Sequence, residues 1–215
     1  MNLEVMSSYL PRYMEAFILT LKIGWLGIGL ALVLGIVTAF IMYLRVPVLN
    51  VLARVYVELF RNTPLLVQLF FIYFGLPKAG IMISAEVCGI AGLGLLGGSY
   101  MAETIRSGLE AIPVSQTESA RILGMSPLLT FREIILPQAF AISMPGIVAN
   151  VIFLLKETSV FSAISLMDLM FTAKDLIGLY YNTGECLLML VIFYMVMLLP
   201  VSALGSLLEK KLRLS

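Results

Sequence analysis

Five long apolar stretches dominate the hydropathy pattern of the chain. A membrane-spanning helix needs about 20 consecutive, mostly apolar residues to cross the hydrocarbon core of a bilayer. Stretches of at least that length lie at about 13–44, 48–76, 86–110, 132–155 and 185–208. The pattern therefore predicts an all-α membrane protein in which residues 1–215 form one transmembrane domain, with five spans and with its termini on opposite sides of the membrane.

The second predicted span contains charges that a lipid-facing helix would not tolerate. Arg54, Glu58 and Arg61 are spaced i, i+4 and i+7, so they share one helical face. An isolated charge at the bilayer centre costs about 2.5 to 3.5 kcal/mol on insertion scales. We therefore expect this face to line a protein interior or a watery cavity.

The third predicted span combines small residues with a cytoplasmic group of charges. Its segment "GIAGLGLLGG" contains several glycines that let helix backbones approach closely, although a hinge is an alternative. Further along, Glu103, Arg106 and Glu110 lie at i, i+3 and i+7, a spacing that favours a structural ion-pair network. Between the fourth and fifth spans, the pattern predicts a short outer or re-entrant helix pair, and Ser165 with Asp168 has the spacing of a capping box.

A short polar stretch, "ESARILGMSPLLTFREIILP", interrupts the apolar chain before the fourth span. Ser115 and Glu118 have the spacing of a capping box, and Gly124 is suited to end a helix in the left-handed conformation. Ser126 followed by Pro127 is typical of a new helix start. We expect a short helix over about 115–124, a glycine turn and a second helix. The apolar residues of the short helix need a packing surface, either on this chain or on a partner.

Composition and charge narrow the function further. Charged residues are 13% of the chain, below the roughly 25% of a soluble domain, and the net charge of +1 gives no general attraction to nucleic acid. The chain has no histidine, the commonest metal ligand and general base. With no metal motif and no activated nucleophile pattern, the sequence favours a transport subunit over an enzyme.

The basic residues predict the orientation, because segments on the cytoplasmic side are enriched in lysine and arginine. With the C-terminus inside, eight basic residues lie in inner segments and five in outer ones. The inner ones are Arg45, Arg54, Arg106, Arg121, Arg132, Lys210, Lys211 and Arg213, and the outer ones are Arg12, Lys22, Lys78, Lys156 and Lys174. The N-terminus is therefore expected outside, and the polar stretch in the cytoplasm.

The polar stretch resembles the loop motif of permease subunits of ATP-binding-cassette importers. The matching positions, with the spacing of that family, are Glu118, Ser119, Ala120, Gly124, Ile134, Leu136 and Pro137. Ser119 stands where alanine is usual. The segments "ELFRNTPLLVQLFFIYFGLP", "SYMAETIRSGLEAIP" and "LPQAFAISMPGIVANVIFLLKETSV" resemble the polar amino acid permeases, which carry histidine, glutamine, arginine and similar substrates. Asn62 stands where glycine is common.

This resemblance implies a type I importer permease fold in a bacterial cytoplasmic membrane. The short helix would be the coupling helix, seated in a groove of a cytoplasmic ATPase that binds ATP and Mg²⁺, with no cofactor in this chain. The coupling residues would be Glu118, Ser119, Ala120, Arg121, Leu123, Gly124 and Met125. The other expected partners are a second permease, either identical or a sister chain, and an extracytoplasmic amino acid-binding protein.

A substrate pathway for an amino acid must offer partners to an ammonium group and a carboxylate. Polar residues in or near the ends of the spans are the candidates: Glu58, Arg61, Asn62, Thr63, Glu103, Asn150, Lys156, Glu157, Thr158, Ser159 and Asp168. Arg61 could bind a carboxylate or pair internally with Glu58, and Glu157 could bind an amino group or a cationic side chain. The alternative function is an ion-coupled secondary carrier or channel subunit, although the chain shows no inverted repeat.

Overall fold

The computed structural model describes residues 3–213, and these residues form a bundle of long helices. Four helical stretches in this range are long and apolar enough to cross a membrane. They contain α1 (Leu3–Tyr43), α4 (Ala85–Glu110), α7 (Leu136–Glu157) and α9 (Thr183–Arg213). At about 1.5 Å per residue, the 26 residues of α4 extend about 39 Å, more than the bilayer core requires.

The second predicted span is broken rather than straight. Helix α2 (Leu49–Arg61) is followed by α3 (Leu65–Phe70), which continues through a π-turn and a 3₁₀ turn to Ala79, and the two halves meet at 104°. The break falls at Pro64, whose backbone is extended at φ −59° and ψ 142°. Proline cannot donate a backbone hydrogen bond and disfavours the helical conformation of the residue before it, so the helix ends there.

Close packing of α1 against α4 confirms the predicted role of the glycines in the third span. A Cβ atom on Gly94 would lie 2.5 Å from Leu30 Cδ2, and one on Gly98 would lie 2.8 Å from Leu34 Cβ. Real Cβ atoms do not approach neighbours this closely, so larger residues would force the helices apart. The main hydrophobic core lies along this contact and extends to α3 and α7.

The connection from α7 to α9 contains a 3₁₀ turn (Thr158–Ile164) and α8 (Leu169–Tyr180). The predicted capping box of Ser165 with Asp168 is wrong. Ser165 lies in the left-handed region at φ 58°, before the helix begins, and Asp168 itself caps α8 by accepting a hydrogen bond from the Phe171 N–H at 2.9 Å. The serine and aspartate therefore occupy a turn and a helix cap, respectively.

Candidate functional site

The first candidate region is a helical hairpin, here called the polar hairpin, formed by residues 114–130. It contains α5 (Val114–Ile122) and α6 (Pro127–Thr130). Gly124 is left-handed at φ 76°, its N–H donates to Arg121 O, and the Met125 N–H donates to Ala120 O, each at 3.0 Å. These two bonds form the Schellman pattern that ends many helices. The predicted glycine turn is confirmed.

The two helix starts of the polar hairpin differ from each other. The predicted capping box of Ser115 with Glu118 is wrong, because α5 begins at Val114 and the cap position belongs to Pro113, whose side chain has no hydrogen-bonding group. Ser115 lies inside the first turn, two residues after the cap position. The second start is as predicted: Ser126 Oγ accepts from the Leu129 N–H at 3.3 Å.

The polar hairpin exposes most of its apolar side chains. Ala120 is 1% exposed and packs on this chain, whereas Ile122 is 86% exposed, Leu123 78% and Leu128 77%. The polar motif residues Glu118 and Ser119 are exposed beside them. A segment that is internally capped but keeps large apolar side chains outside is suited to contact another surface.

The polar hairpin is joined to the membrane bundle without a flexible linker. Helix α6 runs into α7 through a π-turn (Phe131–Ile135), so residues 127–157 form one helical path. The Phe131 ring packs against Phe40 and Tyr43 at the end of α1, with centroid distances of 5.9 and 6.4 Å. The hairpin is therefore continuous with α7, and the residue that follows it contacts the end of α1.

The second candidate region is an open cavity of about 380 Å³ at the break in the second span, here called the break cavity. It lies between the end of α2, the start of α3, the middle of α4 and the end of α7. Its polar lining comes from Arg61, Asn62, Thr63, Tyr100 and Glu157. The structure thus brings together Arg61, Asn62, Thr63 and Glu157 from the substrate-site residues that the sequence suggested, and they include charges of both signs.

Arg61 has two partners, and neither is Glu58. Its guanidinium lies 5.4 Å from the centre of the Tyr100 ring, and its Nη1 atom lies 3.9 Å from Glu103 Oε2. The carboxylate of Glu58 instead accepts a hydrogen bond from Asn62 Nδ2 at 3.1 Å. The internal pair of Arg61 with Glu58, which the sequence left open, is therefore replaced by a pair between α2 and α4.

The predicted network on α4 is confirmed. Arg106 donates from Nη2 to Glu103 Oε1 and from Nη1 to Glu110 Oε2, the latter at 2.6 Å. A longer contact of 3.4 Å joins Arg106 Nε to Glu103 Oε2. Glu103 is thus held by the N–H groups along one edge of the Arg106 guanidinium and lies beside a second guanidinium, that of Arg61.

Side chains donate hydrogen bonds to the backbone carbonyl groups at the end of α2. Asn62 Nδ2 donates to Glu58 O, Thr63 Oγ1 donates to Leu59 O, and Gln68 Nε2 donates to both Phe60 O and Thr63 O, at 2.7 to 3.0 Å. The sequence analysis missed Gln68, although a single amide inside the apolar run "PLLVQLFF" was a usable signal. In ion-coupled carriers such helix ends coordinate cations, and here the carbonyls already have donors.

Candidates from the sequence that do not line the break cavity include Glu58, Asn150, Lys156, Thr158, Ser159 and Asp168. Asn150 donates to Thr104 Oγ1 at 2.9 Å, and the buried hydroxyl of Thr158 donates to Leu155 O at 2.7 Å. Burial raises the pKa of Asp168 to about 7, and the carboxylate caps α8. Their part in substrate binding remains a prediction.

Within residues 3–213, no group of three or more cysteine, aspartate or glutamate side chains is placed to hold a metal ion. The side chains of the two candidate regions offer apolar contact surface, ion pairs and hydrogen bonds.

Comparisons with known proteins identify the family of the chain. The family model described as "Binding-protein-dependent transport system inner membrane component" matches residues 6–214. The chain belongs to this family. It is a permease subunit of an importer, a transport component of the inner membrane rather than an enzyme, and the family implies ATPase and binding-protein partners.

Individual relatives cover most of the permease. It is 37% identical to the probable glutamine ABC transporter permease protein GlnP of Bacillus subtilis, over 76% of this chain and 75% of that protein. It is 33% identical to the arginine transport system permease protein ArtQ of the same organism, with 99% of each chain covered. A crystal structure of an amino acid ABC transporter with histidines superposes with a TM-score of 0.91 at 33% identity, covering 98% of this chain and 99% of that one. The fold is that of type I importer permeases.

Proposed function

We propose that this permease moves a polar or charged amino acid into the cytoplasm by alternating access, driven by ATP hydrolysis in a separate subunit. The observation that carries the proposal is the break cavity, where Arg61 and Glu157 present opposite charges within one space between membrane helices. The relatives named for glutamine and arginine transport support the same class of substrate.

The break cavity has the groups that an amino acid requires. A zwitterion that leaves water needs a partner for each charge, because an unpaired buried charge is costly. The planar guanidinium of Arg61 suits the α-carboxylate. Glu157 suits the α-ammonium group or a cationic side chain. The rings of Tyr100 and Phe153, with centroids 5.3 Å apart, provide an apolar wall.

The polar hairpin is proposed as the coupling element. Its motif residues Glu118, Ser119 and Arg121 and its exposed side chain of Leu123 would contact the ATPase, while buried Ala120 and the turn at Gly124 and Met125 would keep the hairpin rigid. Because α6 continues into α7, movement of the ATPase subunits would move the helix that carries Glu157.

The assembly we propose contains two permease chains, identical or sister subunits, with ATPases that bind ATP and Mg²⁺ on the cytoplasmic side. The N-terminus lies outside, where an amino acid-binding protein delivers the substrate, and the C-terminus lies inside. The excess of basic residues in the inner segments supports this orientation.

The test is ATP-dependent uptake into vesicles that contain the permease and its ATPase, with binding protein in excess. Glu157→Gln keeps the side-chain shape and removes its charge. Losing a charge-assisted hydrogen bond costs about 1.5 to 3 kcal/mol, or about ten- to a hundredfold in affinity. We expect the loss to be larger for arginine or lysine than for glutamine.

An unchanged apparent affinity and rate for every amino acid would remove Glu157 from the substrate site. Uptake that proceeds without ATP and follows an ion gradient would instead favour the secondary-carrier alternative.

A further inference from the structure

Arg61 shares its acidic partner, Glu103, with Arg106. Glu103 accepts from Arg106 with both carboxylate oxygens, and its Oε2 atom also lies 3.9 Å from Arg61 Nη1. At that distance the two side chains form an ion pair without a good hydrogen bond, so another carboxylate can easily replace Glu103 beside Arg61. The side chains of Arg61 and Glu103 are 37% and 30% exposed, which leaves the guanidinium accessible from the break cavity.

We propose that Glu103 is an internal competitor for Arg61, which it holds until the α-carboxylate of an amino acid displaces it. This inference rests on the proposed function, in which Arg61 binds that carboxylate. The exchange conserves charge, because one carboxylate replaces another beside the same guanidinium. Glu103 is not left unpaired after the exchange, since Arg106 keeps both of its contacts.

The position of Glu103 gives the exchange a direction. Glu103 lies one turn beyond the Tyr100 ring on α4, towards Glu110 and the polar hairpin. In the proposed orientation, this is towards the cytoplasm. Recapture of Arg61 by Glu103 would therefore favour release of the carboxylate on the inner side. Glu103 is a positioning residue in this account, because it acts on the substrate only through Arg61.

The inference predicts that removing the charge of Glu103 tightens substrate binding. An exposed or half-exposed ion pair contributes little, so we expect Glu103→Gln to lower the dissociation constant about twofold to fivefold. Both L-arginine and L-glutamine should gain by the same factor, because both carry the α-carboxylate. Agmatine, which is arginine without that carboxylate, should gain nothing.

The measurement is binding of radiolabelled L-arginine and L-glutamine to the purified permease–ATPase complex in nanodiscs without binding protein, with agmatine as a competitor. Glu110→Gln is the matched control, because it removes the other carboxylate of Arg106 at 2.6 Å and is placed away from Arg61. Its affinities should equal those of the wild type. If Glu103→Gln does not yield a complex, Glu103→Asp is measured instead. Its shorter side chain places the carboxylate farther from Arg61, so substrate affinity should rise by a smaller factor.

A double variant separates this role from a structural one. In the Arg61→Gln background, Glu103→Gln should give no further gain in affinity. The guanidinium for which Glu103 and the substrate carboxylate compete is then absent. Weaker or unchanged binding by Glu103→Gln, while Arg61→Gln weakens binding, would overturn the inference and leave the proposed function intact. If neither Arg61→Gln nor Glu157→Gln alters binding, the proposed substrate site fails and this inference fails with it.

Discussion

The polar hairpin and the break cavity depart from their surroundings in opposite ways. The hairpin is a hydrophilic interruption that exposes Ile122, Leu123 and Leu128, whereas the cavity is an interruption of apolar helices that holds Arg61 and Glu157. Internal hydrogen bonds stabilise both regions, at the glycine turn and at the end of α2. What remains accessible is apolar side-chain area in the hairpin and charged side chains in the cavity. This difference supports the proposal that the hairpin contacts a protein partner and that the cavity binds a small polar solute.

The largest expected effect concerns which side of the membrane each region faces. Cysteine at exposed Leu128 in the hairpin and at exposed Met82, which follows the broken span, should label with impermeant maleimides from opposite sides. The natural Cys88 and Cys186 are buried and should not react with the maleimide. Met82→Cys should react in intact cells, and Leu128→Cys in inside-out vesicles stripped of ATPase. The reverse pattern would invert the proposed orientation.

The next largest effect is expected from a test of whether the exposed apolar side chains of the polar hairpin bind the ATPase. Leu123→Asp adds a charge where the side chain is 78% exposed, so the permease itself should fold and insert normally. A hot-spot residue at an interface contributes about 2 kcal/mol or more, so ATPase affinity should fall about thirtyfold or more. Met167→Asp is a matched control, because Met167 is 66% exposed outside the hairpin. Equal retention of ATPase by both variants would contradict the docking assignment.

A smaller effect is expected from the turn of the polar hairpin. Gly124→Val places a β-branched residue at φ 76°, which costs about 1 to 2 kcal/mol, although an added Cβ would meet no neighbour within 4 Å. Uptake should fall about tenfold while insertion persists. Gly124→Asn should retain most activity, since asparagine tolerates this conformation and the space is open. Normal transport by the valine variant would show that the turn does not need to be rigid.

Much of this arrangement follows from local sequence patterns. Apolar length predicted the long helices, glycine predicted the turn at Gly124, and i, i+3 and i+7 spacing predicted the network around Arg106. The break at Pro64 was not predicted, because long apolar stretches flank the short polar segment 61–63 on both sides and one proline does not determine the angle. Both proposed capping boxes were wrong, because their spacing does not specify where a helix begins; Pro113 and Asp168 occupy those positions.

The pairing of Arg61 could not be derived from the sequence. Glu58 is one turn away on the same helix, whereas Glu103 is 42 positions along the chain and becomes a neighbour only when α2 packs on α4. Tertiary packing also brings Glu157 into the same cavity. Residue types identified the candidates, and packing decided which of them meet.

The central claim is that the two regions perform separable tasks, and a crossed measurement on the permease–ATPase complex tests it most directly. ATPase affinity and amino acid affinity are both measured for Leu123→Asp and for Glu157→Gln. We predict that Leu123→Asp weakens only the binding of the ATPase and that Glu157→Gln weakens only the binding of the amino acid, more for arginine than for glutamine. If Glu157→Gln released the ATPase, or if Leu123→Asp weakened amino acid binding as much as Glu157→Gln does, the assignment of separate tasks would be wrong.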